Sequence, residues 1–139
     1  MVSDSNQFVV PLLGPDGFYQ MSTVVATETD NDDCRIEMTW ENVRLEAVAG
    51  DFFEAFCKIR IELWKNQLLP DCYGAHLRAF PSGMSRSMGG GFKLYRLTLG
   101  KQALTKDLVQ LFDAGQDVIP ATVEDQRRFF GDWIKSLGK

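Results

Sequence analysis

The clearest pattern in the chain is strict alternation over residues 34–40, where Cys34, Ile36, Met38 and Trp40 interleave with Arg35, Glu37 and Thr39. Period two places one set on a buried face and the other in water, which predicts a half-buried β-strand. Phe18 to Thr27 is rich in β-branched and aromatic residues and predicts the strand before it, with Glu28 to Asp33 as a polar hairpin tip. Val43 to Val48 alternates again. Upstream, Phe8-Val9-Val10-Pro11-Leu12-Leu13 closes on Gly14-Pro15-Asp16-Gly17, a strong turn signal, and Pro11 marks it as an edge strand.

The period then changes. Phe52, Phe56, Ile59 and Leu63 recur at helical spacing, with Asp51 placed to cap the first turn and Glu54 at the capping-box position. A helix is expected from Phe52 to about Asn66, stopped by Pro70, with Lys58 and Glu62 as an outward i,i+4 pair. Strand patterns return at Tyr73–Phe80, Phe92–Leu99 and Leu108–Phe112. A last helix begins after Thr122, carries Phe129, Phe130, Trp133, Ile134 and Leu137 on one face, pairs Glu124 with Arg128, and ends at Gly138. Runs of strands separated by single helices predict an α+β domain over residues 1–139: an antiparallel sheet of about six to seven strands with two helices packed on it.

Length and composition agree with one globular unit. The chain has 139 residues, 45% of them hydrophobic, and a net charge of −4. No window is long and apolar enough to span a membrane. The first six residues lack the basic and apolar regions of a signal peptide, so a cytoplasmic location is expected. Three cysteines (Cys34, Cys57, Cys72), no Cys-x-x-Cys pair and a single histidine argue against a disulfide framework and a zinc site. Residues 1–56 carry a net charge of −9 and residues 57–139 a net of +5. Either an acidic face meets a basic partner, or the halves interleave in space and the asymmetry is lost on folding. The acidic total and the absence of a Lys/Arg stripe argue against nucleic acid.

Three groups of residues are candidates for chemistry. The stretch Pro81–Gly91, with Gly89, Gly90 and Gly91, reads as a loop between two strands; backbone N–H groups there could meet an anion, with Arg78, Arg86, Lys93 and Arg96 as cations and Ser82 nearby. No Gly-Lys-Ser/Thr ending and no Gly-x-Gly-x-x-Gly entering a helix accompanies it, so a plain connecting loop is the competing reading. Met84 and Met88 are expected to anchor it. His76, on a strand face shared with Arg78 and Phe80, has no orienting partner in sequence and reads as structural rather than catalytic. Asp30, Asp32 and Asp33 crowd the hairpin tip without calcium-loop spacing and suit a basic partner better than a metal.

The run Cys72-Tyr73-Gly74-Ala75, Pro81-Ser82-Gly83-Met84, Met88-Gly89-Gly90-Gly91 and Tyr95, extended by Asp107–Phe112 and Glu124-Asp125-Gln126…Trp133, resembles a pattern of small uncharacterised bacterial proteins. Size, acidity and α+β form are also similar to those of immunity proteins that neutralise bacterial toxins. The resemblance implies a non-enzymatic binding protein with a toxin-like protein partner, reached through Asp30, Asp32 and Asp33, and it implies no catalytic residue, metal or cofactor. The alternative expectation is a small-molecule or anion-binding domain, or an enzyme, at the Pro81–Gly91 loop with His76, Arg78 and Arg86. A third is a homodimer through an exposed strand edge.

Overall fold

The computed structural model describes residues 5–138. Residues 1–4, within the stretch read for a signal segment, lie outside the described residues. Four antiparallel strands come first: β1 (Ser5–Leu13), β2 (Tyr19–Glu28), β3 (Cys34–Trp40) and β4 (Val43–Ala49). Helix α1 (Phe52–Trp64) follows, then the two-residue strand β5 (Leu69–Pro70), which pairs with the end of β1. These form a five-stranded sheet in the order β4-β3-β2-β1-β5. β1 therefore has neighbours on both sides at its C-terminal end, not the edge position expected from Pro11. Pro11 is accommodated because its backbone groups face β5, where its carbonyl accepts from Asp71 N at 2.8 Å and its missing N–H removes no bond to β2.

The alternation read from the sequence is the burial pattern observed. Cys34, Ile36, Met38 and Trp40 face inward, as do Val10, Leu12, Val24 and Ala26 from the neighbouring strands. Against this face packs the stripe of α1, with Phe52, Phe53, Phe56, Ile59 and Leu63 all buried. Each such side chain contributes about 1.5–3 kcal/mol relative to exposure. Asp51 caps the helix through Oδ1, which accepts from Glu54 N at 2.7 Å. Lys58 and Glu62 do not pair: Lys58 reaches the Val48 carbonyl at 2.9 Å, and Glu62 pairs with Lys65.

The second half departs further from the sequence reading. The α+β class and the antiparallel pairing stand, but the strands divide into two sheets rather than one. β6 (Ala79–Phe80), β7 (Lys93–Arg96) and β8 (Leu108–Gln110) form a separate three-stranded sheet, order β6-β7-β8. Tyr73–Phe80 is not a strand. It begins as a single 3-10 turn, Tyr73–Ala75, His76 makes an isolated antiparallel bridge with Pro120, and only its last two residues join a sheet. Gly74 N donates to Leu111 O and Tyr73 N to Asp113 O, so tertiary partners replace a ladder. Pro81–Gly91 is not a plain loop, because Gly83–Met88 forms a short helix, α2, capped by the Ser82 hydroxyl accepting from Ser85 N. Its Met84 and Met88 are 72% and 82% exposed and anchor nothing.

The last helix, α3 (Val123–Leu137), starts as expected with Thr122 Oγ1 accepting from Asp125 N and carries the Glu124–Arg128 pair at 3.4 Å. Its buried residues are Val123 and Gln126, whereas Ile134 and Leu137 are exposed. The aromatic face is therefore only partly covered: Phe80 stacks on Phe130 at 4.1 Å, and Trp133 Nε1 donates to Lys101 O. Three ion pairs, Arg86–Asp51, Arg86–Glu54 and Arg127–Glu54, join the acidic first half to the basic second half. No helix among the described residues is long and apolar enough to cross a membrane.

Candidate functional site

The acidic tip is built on Thr29. Its Oγ1 accepts from Asn31 N and Asp33 N, and its N–H donates to Asp33 O, which closes the turn between β2 and β3. Asp32 sits at φ +63, a conformation that a short polar side chain tolerates. Asp30 and Asp32 are exposed, Asp33 is half-buried, and none of the three is ion-paired among the described residues. Among the described residues, no group of three or more His, Cys, Asp or Glu is placed to hold a metal ion.

The glycine segment packs against the start of α1. Gly90 and Gly91 have φ of +69 and +76, and a Cβ on Gly91 would stand 3.0 Å from Phe53 N and from Asp51 Oδ1. Phe52 N donates to Gly90 O, while Gly89 N and Gly91 N both donate to Ser85 O. Those N–H groups are spent inside the segment, where a phosphate cradle would need them free. Arg86 gives Nε to Asp51 Oδ2 at 2.9 Å and Nη2 to Glu54 Oε1 at 3.3 Å, over the Phe53 ring. The seven residues of the expected loop site do not form one site. Arg86 and the glycines hold α1, Ser82 lines an aromatic groove, and His76 with Arg78 lines a third place.

That third place is a polar cleft of ≈ 290 Å³ between the 76–78 segment, the end of β7 and the 107–119 connection. His76 is buried, and its Nδ1 accepts from Ile119 N at 2.9 Å, which leaves Nε2 to carry the proton of the neutral ring. Burial pulls its pKa below the usual value, opposed by nearby Asp117. Asp117 accepts from the Tyr73 hydroxyl and lies 3.6 Å from Arg96. The Tyr73 hydrogen bond holds the Asp117 carboxyl down, and the same bond raises the Tyr73 phenol. Arg78 is exposed, rests over the Phe129 ring, and has no ion pair among the described residues.

Beneath the cleft lies a polar cluster that hydropathy patterning did not reveal. Arg60 projects from the buried side of α1, 3% exposed, and no carboxylate among the described residues pairs with it. It donates through Nη1 to Gly74 O and Gln126 Oε1 (2.7 Å), and through Nη2 to Ala121 O. Gln126 Nε2 lies within hydrogen-bond distance of the carbonyls of Gly74, His76 and Ala79. Two side chains thus fasten residues 74–79 to α1 and α3, which positions His76 and Arg78. Desolvation lowers the Arg60 pKa, and three carbonyl-group oxygens stand in for a counter-ion. The only sequence signal was a cation on the apolar stripe at Ile59-Arg60 and a glutamine one turn into α3.

Two apolar surfaces lie elsewhere on the molecule. A groove of ≈ 310 Å³ lies under α3, walled by Phe80, Tyr95, Phe130 and Trp133. The outer face of the five-stranded sheet exposes Val9, Tyr19 and Met21 at 61%, 54% and 58%, with Phe18 at 73% in the adjoining turn. Cross-strand register places Pro11 opposite Met21 and Leu13 opposite Tyr19, so these residues are contiguous. The three thiols are buried and free, with burial pushing Cys34 up to about 11 and Cys72 to about 12, so they stay protonated at neutral pH. The fold defines an α+β protein with one open sheet face. No family model matches the chain, and the search of curated proteins found no similar one.

Proposed function

We propose that the chain is a non-enzymatic binding protein that docks a protein partner on the open face of its five-stranded sheet. The observation that carries this reading is the contiguous apolar patch of Val9, Phe18, Tyr19 and Met21, because large exposed hydrophobics gathered on one face mark interaction surfaces. β2 runs from this patch to the acidic tip, a length of about 30 Å at roughly 3.3 Å per residue. A partner covering the face therefore meets Asp30, Asp32 and Asp33 at its rim, and unpaired rim carboxylates favour a basic partner by raising the association rate. In its specific form, motivated by the resemblance, the protein is an immunity-type inhibitor that occludes a basic toxin domain.

The test is affinity capture of that toxin domain with three baits: the native chain, Met21→Glu, and Asp30→Asn with Asp32→Asn and Asp33→Asn. Met21→Glu is expected to lose the toxin domain. The triple variant is expected to slow association several-fold at low salt and to differ little at high salt. Equal capture by all three baits would remove this face from the function.

A second reading rests on Arg78. Its guanidinium has no carboxylate partner among the described residues, although Asp107 and Asp117 line the same cleft with His76 and Arg96, and it is the group there able to meet a small carboxylate or phosphate. Inorganic phosphate titrated into the protein should raise its melting temperature, and Arg78→Gln should abolish the rise. No rise with phosphate or acetate would dispose of this reading.

A further inference from the structure

The free edge of β4 offers a more specific surface. β4 ends the sheet order, and no described strand or loop pairs with its outer side. The turn at Glu41-Asn42 has two residues, which makes Trp40 and Val43 a hydrogen-bonded pair. Alternation along the ladder then turns the N–H and C=O groups of Arg44, Glu46 and Val48 away from β3. The Lys58 ammonium resting on Val48 O fits this assignment and blunts the far end of the edge. The backbone groups of Arg44 and Glu46 carry no such guard, while their side chains pair on the outer face with Glu37, Arg35 and each other, a network that a second copy's Arg44 and Glu46 would extend. Beside it, between β4 and α1, runs a groove of ≈ 490 Å³ bordered by Leu45, Ala47 and Ile61.

We infer that this edge pairs with the same edge of a second copy, antiparallel and centred on Leu45, joining two five-stranded sheets into one of ten strands. The register follows from side-chain faces and charge. A two-fold axis normal to the sheet must pass through a residue, because a one-residue slip would put opposed side chains on opposite faces. Centring on Arg44 or on Glu46 would oppose like charges. Centring on Leu45 sets Arg44 of each copy against Glu46 of the other, on the outer face. These are also the residues whose backbone groups point outward, so four inter-chain hydrogen bonds form. On the inner face Val43, 41% exposed in the single chain, comes to lie against Ala47 in the groove. Val48 O keeps its Lys58 contact, which the Glu46-centred alternative would disrupt. The joined sheet leaves the β1–β2 patch open on both copies, so this inference is independent of the proposed function.

Sedimentation of the native chain from micromolar to near-millimolar concentration should show a reversible monomer–dimer equilibrium. Arg44→Glu and Glu46→Arg each place like charges across the axis and should each sediment as monomer. An equimolar mixture of the two restores both attractions and should recover a heterodimer at least ten-fold tighter than either variant alone. Circular dichroism and melting of each variant guard against misfolding, and the mixture controls for it directly. A native chain that is monomeric throughout overturns the inference. So do variants that dimerise as well as the native chain, or a mixture no tighter than its components.

Discussion

The two halves of the molecule are held by different physics. Residues 5–64 form a long-stranded sheet with one helix laid on it, and their cohesion is apolar: alternate strand residues meet a helical stripe with almost no polar group between them. Residues 72–138 contain strands of two to four residues, two 3-10 turns and a helix with only two buried residues. Ladders that short leave many backbone groups without sheet partners. Arg60, Gln126 and the ring of His76 supply those partners from side chains. The difference teaches that a segment too irregular for regular hydrogen bonding can be ordered by a few buried polar side chains, provided nearly every group finds a partner.

The sharpest way to break the comparison is Arg60→Met. It fills similar space but leaves Ala121 O and Gln126 Oε1 without their donor, while Gly74 O keeps Gln126 Nε2, and should cost about 2–6 kcal/mol at about 1–3 for each orphaned acceptor. Hydrogen exchange should show residues 74–79 and α3 losing protection well before β2 and β3; uniform loss would deny the second half its separate means of support. Met38→Ala, fully buried in the first half, should cost about 2–5 kcal/mol by leaving a cavity, read by chemical denaturation, and hydrogen exchange should show it lowering protection throughout. Gly91→Ala strains the join between the halves, where φ is positive and the Cβ site is blocked by Phe53 N. A loss of about 1–3 kcal/mol is expected, read from the melting temperature.

A smaller effect is expected from pH. His76 is the single histidine, and its folded pKa lies below the unfolded one. Above the unfolded value, near 6.5, the ring is neutral in both states and its contribution is fully present. As pH falls from there toward the folded pKa, the unfolded chain binds the proton first, and stability drops by at most about 1.4 kcal/mol per pH unit. A proton NMR titration of the ring should give a midpoint below 6.5, and His76→Asn should remove that part of the pH dependence. Least of all, Met21→Glu should change stability by no more than about 0.5 kcal/mol, since the open sheet face supports nothing in the isolated chain. A larger loss would mean that the patch is structural and would weaken the proposed docking role.

The legibility of the sequence follows the same division. β2, β3, β4 and α1 could be read almost to the residue because each has one buried face, and a single buried face imposes its period on the sequence. At Tyr73–Phe80 the same rule misled. Apolar residues there are buried on all sides by β8, α1 and α3, so their spacing carries no strand period. The glycine segment concealed a helix because Gly83–Met88 is stabilised by the Ser82 cap and by contacts with α1 rather than by propensity. Of the candidate site residues, the acidic tip lies where the hairpin reading put it. The loop set was scattered, since neighbours in sequence attach to different elements.

The chain by itself determined its α+β class, the first four strands, both long helices and their caps, because these depend on local periods and local hydrogen bonds. Only the tertiary structure decided that the strands form two sheets. It also decided that Arg86 serves Asp51 and Glu54, that Arg60 and Gln126 meet across 66 positions, and that the outer face of the large sheet and the outer side of β4 stay uncovered by any described strand. These outcomes depend on which distant groups remain unpaired once the local elements have formed, and no window along the chain contains that information.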